Sequence, residues 1–249
     1  MFQVVDFSAR AVWTNAQGEL MPTFVLFDID GTLVSLDGAG SRSLNRAMED
    51  LLGIPNGFRQ INFAGKTDLQ IIREGLQKFD LLDRDDLLHS LLDRYLGYLR
   101  TEVATGRGHV KEGVKELLFN LQDLRGVYLG LLTGNVEAGA RLKLNTFGLN
   151  GFFPVGAFGD DSEDRNLLLP FAVKRLLEAE SIEVNYEHCL VIGDTPSDVE
   201  CAQVHGASSI AVATGTYSLE QLKQTAADLV LSDLSNTEPI VEWICRRER

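Results

Sequence analysis

The sequence predicts an α/β fold, a doubly wound parallel sheet with an all-helical unit inserted into it. From residue 110 onward, short apolar runs alternate with helical periodicity, the pattern of a parallel sheet covered by helices. Residues 41–104 repeat their apolar side chains only at helical spacing and offer no strand. The length, 249 residues, suits one large domain or a core with a smaller insert. The expected division is a core of residues 1–36 and 110–249 around a helical unit of residues 37–109.

Taken in order, residues 1–22 hold two apolar runs, Phe2–Val5 and Ala11–Trp13, that suit an extra strand or hairpin. The first core strand is residues 23–28, an apolar and aromatic run bounded by carboxylates. Asp37–Gly40 is glycine-rich and reads as a hinge. Leu44, Ala47, Met48, Leu51 and Leu52 recur at helical spacing, and Gly53 with Pro55 stops that helix. Thr67 and Asp68 cap a second helix carrying Leu69, Ile72 and Leu76. Leu87, Leu88, Leu91, Leu92, Tyr95 and Leu99 form a third stripe, read as a helix-packing face. Gly106 and Gly108 mark a second hinge where the chain returns to the core. Strands then follow at Val127–Leu132, near Phe153–Phe158, and at Cys189–Ile192, Ser209–Ala213 and Asp228–Leu231. The intervening and closing helices fall at about 111–125, 136–147, 166–180, 197–205 and 236–246.

Composition excludes several classes. A net charge of −13 opposes non-specific binding to nucleic acid or to an anionic membrane. The charge is uneven: residues 37–109 carry 10 basic and 11 acidic side chains, so a small anion meets least repulsion there. Cys189, Cys201 and Cys245 lack metal-site spacing and suit free thiols in a reducing compartment. No apolar run approaches the ~18 residues of a membrane span, and residues 1–22 lack the charged-then-apolar order of a secretory signal. The expectation is a soluble, cytoplasmic monomer or homodimer.

The chemistry lies at strand ends, where open α/β sheets bind ligands. Asp28 and Asp30 are two apart, so on a strand both face one side, and like charges that close require a cation or a proton. Gly31 permits a tight turn and leaves its N–H free for an anion. Thr133-Gly134-Asn135 presents a hydroxyl, a backbone N–H and a carboxamide just before a helix N-terminus, a set suited to phosphate. Asp194 and Asp198, four apart across the Pro196 helix start, offer hard oxygens to a cation. Between Asn135 and Asp194, residues 159–165 are rich in acids and end in Arg165, either a solvated loop residue or the cation that balances the site. Each fragment alone is equally at home as a cap or turn.

Together and in this order, Asp28-x-Asp30-Gly-Thr-Leu, Thr133-Gly-Asn, a basic residue and Gly193-Asp-x-x-x-Asp198 closely resemble the haloacid dehalogenase-like hydrolase superfamily. The helical insert resembles the cap of its phosphoglycolate phosphatase-like branch, on a Rossmann-like core. The resemblance covers residues 23 to about 231. It implies a Mg²⁺-dependent phosphatase acting on a small phosphorylated metabolite. Asp28 would be the nucleophile that forms an aspartyl-phosphate, and Asp30 the acid and base for the leaving alcohol and the attacking water. Thr133, Gly134 and Asn135 would hold the phosphoryl oxygens. Mg²⁺ would be bound by Asp28, the Asp30 carbonyl and Asp194, with Asp198 a direct or indirect partner. Dehalogenating members lack an aspartate at the position of Asp30, which argues against a halide leaving group. Much of the branch has Lys-Pro as its third motif. Here the region reads Glu163-Asp-Arg165-Asn, so Arg165 is taken as the cation and Lys174 as its alternative. Lys66 and Thr67 fall where a cap specificity loop would lie. His89 and His109 join no motif. Two other functions remain open: a phosphomutase of the β-phosphoglucomutase kind, and a non-catalytic regulatory protein on the same fold.

Overall fold

In the computed structural model, residues 21–82 and 84–245 are described. The two apolar runs expected before residue 14 lie outside them. Six parallel strands form the main sheet: β1 (Thr23–Phe27), β4 (Val127–Leu132), β5 (Val155–Ala157), β6 (Cys189–Gly193), β7 (Ser208–Val212) and β8 (Leu229–Leu231). Their order is β5-β4-β1-β6-β7-β8, so the chain leaves β1 first toward one edge and later toward the other. The carboxyl end of β1 is thus a point where the winding reverses, the crevice of a doubly wound sheet. Buried on both faces, β1 is apolar throughout after Thr23, from Phe24 to Phe27. It pairs Phe27 with Leu131 on one side and with Ile192 on the other.

The helices α4 (Val114–Gln122), α5 (Glu137–Asn145), α6 (Leu168–Glu180), α7 (Pro196–Gln203), α8 (Leu219–Leu222) and α9 (Glu238–Cys245) accompany these strands. They start and stop where the sequence patterns predict to within a few residues, except α8, a single turn opened by the Ser218–Gln221 capping box. Cys189 and Cys201 are buried free thiols. No helix among the described residues is long and apolar enough to cross a membrane.

Among the described residues between 36 and 108 the regular structure is helical: α1 (Ala39–Leu52), α2 (Asp68–Gln77) and α3 (Asp85–Val103). Leu44, Ala47 and Met48 of α1 are buried, as are Leu91, Tyr95 and Leu99 of α3, and all belong to one hydrophobic cluster. Gly53 ends α1 in the left-handed region, at φ 69°. The first expected hinge is narrower than Asp37–Gly40, because Ala39 and Gly40 already lie inside α1, and the two residues before it, Asp37 and Gly38, both take positive φ (50° and 80°).

A feature the sequence patterns do not predict joins the two connections. β2 (Val34–Ser35) and β3 (His109–Val110) pair antiparallel, Val34 with Val110 and Ser35 with His109. Two residues per strand are too few to show alternation. At this crossing Gly108 has φ 109°, and a Cβ there would lie 2.3 Å from the Ser35 carbonyl oxygen, so only glycine fits.

Candidate active site

Consecutive loops at the carboxyl ends of the sheet bring the polar motifs together: Asp28 after β1, Thr133 after β4, Asp194 after β6 and Gly215 beyond β7. They surround a cavity of about 340 Å³ whose floor includes Asp28, Asp30, Asn135, Lys143, Arg165 and Asp194. Its roof comes from the helical unit and carries Leu44, Phe63, Lys66, Ile71 and Tyr95.

Asp28 is 6% exposed, and its amide continues the strand ladder to the Ile192 carbonyl at 3.0 Å. Arg165 sits in the 3-10 turn that leads into α6, where Asp164 caps the turn by accepting from the Asn166 N–H. Its Nη2 pairs with Asp28 Oδ1 at 3.1 Å and with Asp198 Oδ1. The other oxygen of Asp198 accepts from the Thr195 N–H at 3.0 Å and the Thr195 hydroxyl at 2.7 Å, the capping box that opens α7. Both oxygens of Asp198 are therefore engaged by protein donors. Asp194 Oδ1 accepts from the Thr32 hydroxyl at 3.2 Å. Glycines make room for Asp194: a Cβ on Gly215 would lie 1.6 Å from its Oδ2, and one on Gly31 2.5 Å.

One oxygen of each of Asp28, Asp194 and Asp198 lies within 4.8 Å of the others, all buried. Burial pushes the Asp28 carboxyl up to about 6, against the pull of Arg165. Burial, with Asp28 and Asp198 adding repulsion, pushes Asp194 up to about 8. Burial disfavours the Arg165 charge, but Asp198 and Asp28 outweigh it and raise its pKa further. Three buried carboxylates against one guanidinium leave negative charge in excess, and the donors are hard oxygens. That set fits a divalent cation such as Mg²⁺. The Arg165 Nε is buried with no hydrogen-bond partner, which leaves a donor available to an anion.

On the other side of Asp28 lies a second linked group. Asp30 Oδ2 accepts from Asn135 Nδ2 at 2.8 Å and from Lys143 Nζ at 2.5 Å. Asn135 Nδ2 also reaches the Thr133 hydroxyl at 2.9 Å, while Asn135 Oδ1 accepts from Lys143 at 2.5 Å. Thr133 in turn hydrogen-bonds the Asp28 carboxyl and steadies its charge. From α2, the Asp68 carboxylate accepts from the Val136 N–H at 3.0 Å, at the N-terminus of α5.

The structure thus gathers Asp28, Asp30, Thr133, Asn135, Arg165, Asp194 and Asp198, and departs from expectation elsewhere. The Gly31 N–H is not free for an anion, because it donates to the Val34 carbonyl at 2.9 Å to close the tight turn. Gly134 is needed for close packing: its carbonyl accepts from the Asp68 N–H at 2.8 Å, and a Cβ would lie 2.2 Å from the Lys66 carbonyl oxygen. Lys66 lines the cavity but pairs with Glu74 at 2.6 Å. Thr67 caps α2 with Gln70, and its buried hydroxyl donates to the Glu163 carbonyl at 3.2 Å. Lys174 is 71% exposed and pairs with Glu178 on its own helix, so of these two candidates Arg165 is the one at the site. His89 and His109 are exposed. Sequence reasoning missed Lys143, Gly215 and the core contact of Asp68. Only Lys143 left a trace, as a lysine on the buried face of α5 with Gly139, Ala140 and Leu144.

Known proteins share the family and the fold. A family profile described as haloacid dehalogenase-like hydrolase matches residues 25–212. A phosphoglycolate phosphatase of Rhodospirillum rubrum is 30% identical over 232 residues, 90% of this chain and 91% of the relative. One of Escherichia coli O157:H7 is 24% identical, over 86% of this chain and 90% of the relative. Among solved structures, a β-phosphoglucomutase of Clostridium difficile superposes with a TM-score of 0.70 at 18% identity, covering 90% of this chain and 97% of its own. A hydrolase of Pseudomonas syringae gives 0.68 at 22% identity, covering 90% of this chain and 99% of its own. The chain belongs to the haloacid dehalogenase-like hydrolases, in their phosphoglycolate phosphatase-like branch.

Proposed function

We propose that this protein is a cytoplasmic, Mg²⁺-dependent phosphatase that hydrolyses a small phosphomonoester through an aspartyl-phosphate, with residues 37–109 serving as its cap domain. The observation that carries this reading is a buried Asp28 held by Arg165 and Thr133 at the base of a small cavity, with Asp30 beside it. Asp28 attacks phosphorus as the ester oxygen departs, and Asp30 gives that oxygen its proton. Asp30 then takes a proton from the water that attacks the aspartyl-phosphate and releases Asp28. Thr133, the Gly134–Asn135 backbone and Arg165 hold the phosphoryl oxygens, for which the Arg165 Nε is a ready donor. Asp28, the Asp30 carbonyl and Asp194 would hold Mg²⁺, and Asp198 supports the site through Arg165 and Thr195. When bound, the ion would offset the charge of the carboxylates and the phosphate.

A cavity of about 340 Å³ suits a leaving group of a few heavy atoms, such as that of phosphoglycolate or a sugar phosphate. A phosphomutase would share the aspartyl-phosphate but return the phosphoryl group to sugar rather than to water. The test is phosphate release from a panel of phosphomonoesters, with and without Mg²⁺, by wild type and Asp28→Asn. Release that requires Mg²⁺ and disappears with the substitution is the expected result. Failure to hydrolyse any ester, with sugar-phosphate isomerisation in its place, would assign the mutase reaction instead.

A further inference from the structure

Lys143 is an unusual residue to find where it is. It lies on α5, ten residues past Thr133, and is 4% exposed. Burying an ammonium is costly unless it is paired and hydrogen-bonded. Lys143 is both: it bonds Asp30 Oδ2 and Asn135 Oδ1, each at 2.5 Å. Burial works against its charge, but Asp30 and Asp68 more than compensate and raise its pKa.

The donor inventory fixes the rest. An ammonium has donors only, so the Asn135 oxygen must face it. That choice turns the Asn135 NH₂ toward Asp30 Oδ2 and the Thr133 hydroxyl, as observed. Lys143 therefore sets the orientation of Asn135, and Lys143 and Asn135 both direct a donor at the same oxygen of Asp30. With both donors on Oδ2, Oδ1 is the Asp30 oxygen that neither of them engages.

We propose that Lys143 is a positioning residue for the acid–base carboxylate, holding Asp30 and Asn135 so that Asp30 Oδ1 meets the leaving oxygen. This rests on the phosphatase reading above. In the step it serves, the Asp28 oxygen forms a bond to phosphorus and the ester P–O bond breaks. The departing oxygen keeps the bonding pair and takes the proton from Asp30 Oδ1, which is left as carboxylate. Lys143 acts through Asp30 and Asn135 and exchanges no proton.

The consequence is selective. An ester whose leaving group is a stable anion needs no proton, while an alkyl ester does. We therefore compare Lys143→Met with wild type on 4-nitrophenyl phosphate, phenyl phosphate and a simple alkyl phosphate, at saturating Mg²⁺. The expected result is a kcat loss of about 100-fold on the alkyl ester, a smaller loss on phenyl phosphate, and about threefold or less on the nitrophenyl ester. KM should be little changed for all three. Lys143→Arg, which keeps a charged donor, should recover part of the alkyl-ester rate. Equal losses on all three esters, following the loss of folded protein seen in a thermal melt, would overturn the proposal and leave Lys143 a structural residue. So would an unchanged alkyl-ester rate in Lys143→Met. An inactive wild type would instead overturn the phosphatase reading itself, which keeps the two failures distinct.

Discussion

At the scale of single residues, the site works through side chains whose charge is matched locally. Asp68 is buried beside Lys143, whose pull on its charge is smaller than the cost of burying that charge. Burial accordingly pushes the Asp68 carboxyl from 3.8 to about 6, against the pull of Lys143 and the Val136 hydrogen bond. The sign follows from linkage. Below its ordinary range Asp68 is protonated in both folded and unfolded chains and costs nothing. As pH rises past 3.8 the unfolded chain ionises first, and above about 6 the folded chain bears the full penalty. Asp68→Asn keeps an acceptor for the Val136 N–H and removes that penalty. It should be about 1–3 kcal/mol more stable than wild type at pH 8 and no more stable near pH 4, measured by urea unfolding at each pH. A constant difference across that range would contradict the assignment. Gly215 makes a second residue-scale case, since its Cβ would occupy the place of Asp194 Oδ2. Gly215→Ala should lower turnover by about 100-fold through displacement of Asp194, with a melting temperature close to wild type. Full activity in that variant would show that Asp194 tolerates displacement.

At the scale of elements, some parts were legible in the sequence and others were not. Asp28, Thr133 and Asp194 could be found because each ends an apolar run, and the end of a buried strand is a local pattern. The three stripes from Leu44 to Leu99 announced the helical unit for the same reason. The β2–β3 pair was illegible, because it joins two-residue segments some seventy residues apart. The Gly31 N–H was misjudged because its acceptor, the Val34 carbonyl, is supplied by the return of the turn. Lys143 was passed over because a lysine in an amphipathic helix is read as exposed, and only the fold brings Asp30 to it. Packing within the helical unit makes its own prediction. Leu91 of α3 is fully buried in the cluster that also holds Leu44, Met48 and Ile72. Leu91→Ala should cost about 2–5 kcal/mol in equilibrium unfolding, while a cost near zero would mean α3 is not packed as described.

At the scale of the molecule, the helical unit meets the core through the hydrophobic cluster that joins Leu99 of α3 to Ala140 and Leu144 of α5, and through polar contacts over the cavity. The Asp68 N–H reaches the Gly134 carbonyl, the Thr67 hydroxyl reaches the Glu163 carbonyl, and Arg73 pairs with Glu163 at 2.7 Å. The return connection crosses at Gly108, beside the β2–β3 pair. Gly38 and Gly108, both at positive φ on the two connections, suit a cap that opens to admit substrate and closes to exclude water. Structures with and without a phosphate analogue should therefore differ in the angle between cap and core, and an identical angle would rule the motion out.

The central claim is that phosphate passes through Asp28, and trapping it there is the most direct test. Enzyme turning over its best ester with Mg²⁺ is quenched in acid, reduced with borohydride, digested and sequenced by mass spectrometry. An acyl phosphate reduces to homoserine, so the account predicts homoserine at position 28 in wild type and none in Asp28→Asn. Homoserine elsewhere, or an unmodified Asp28 throughout active turnover, would contradict it.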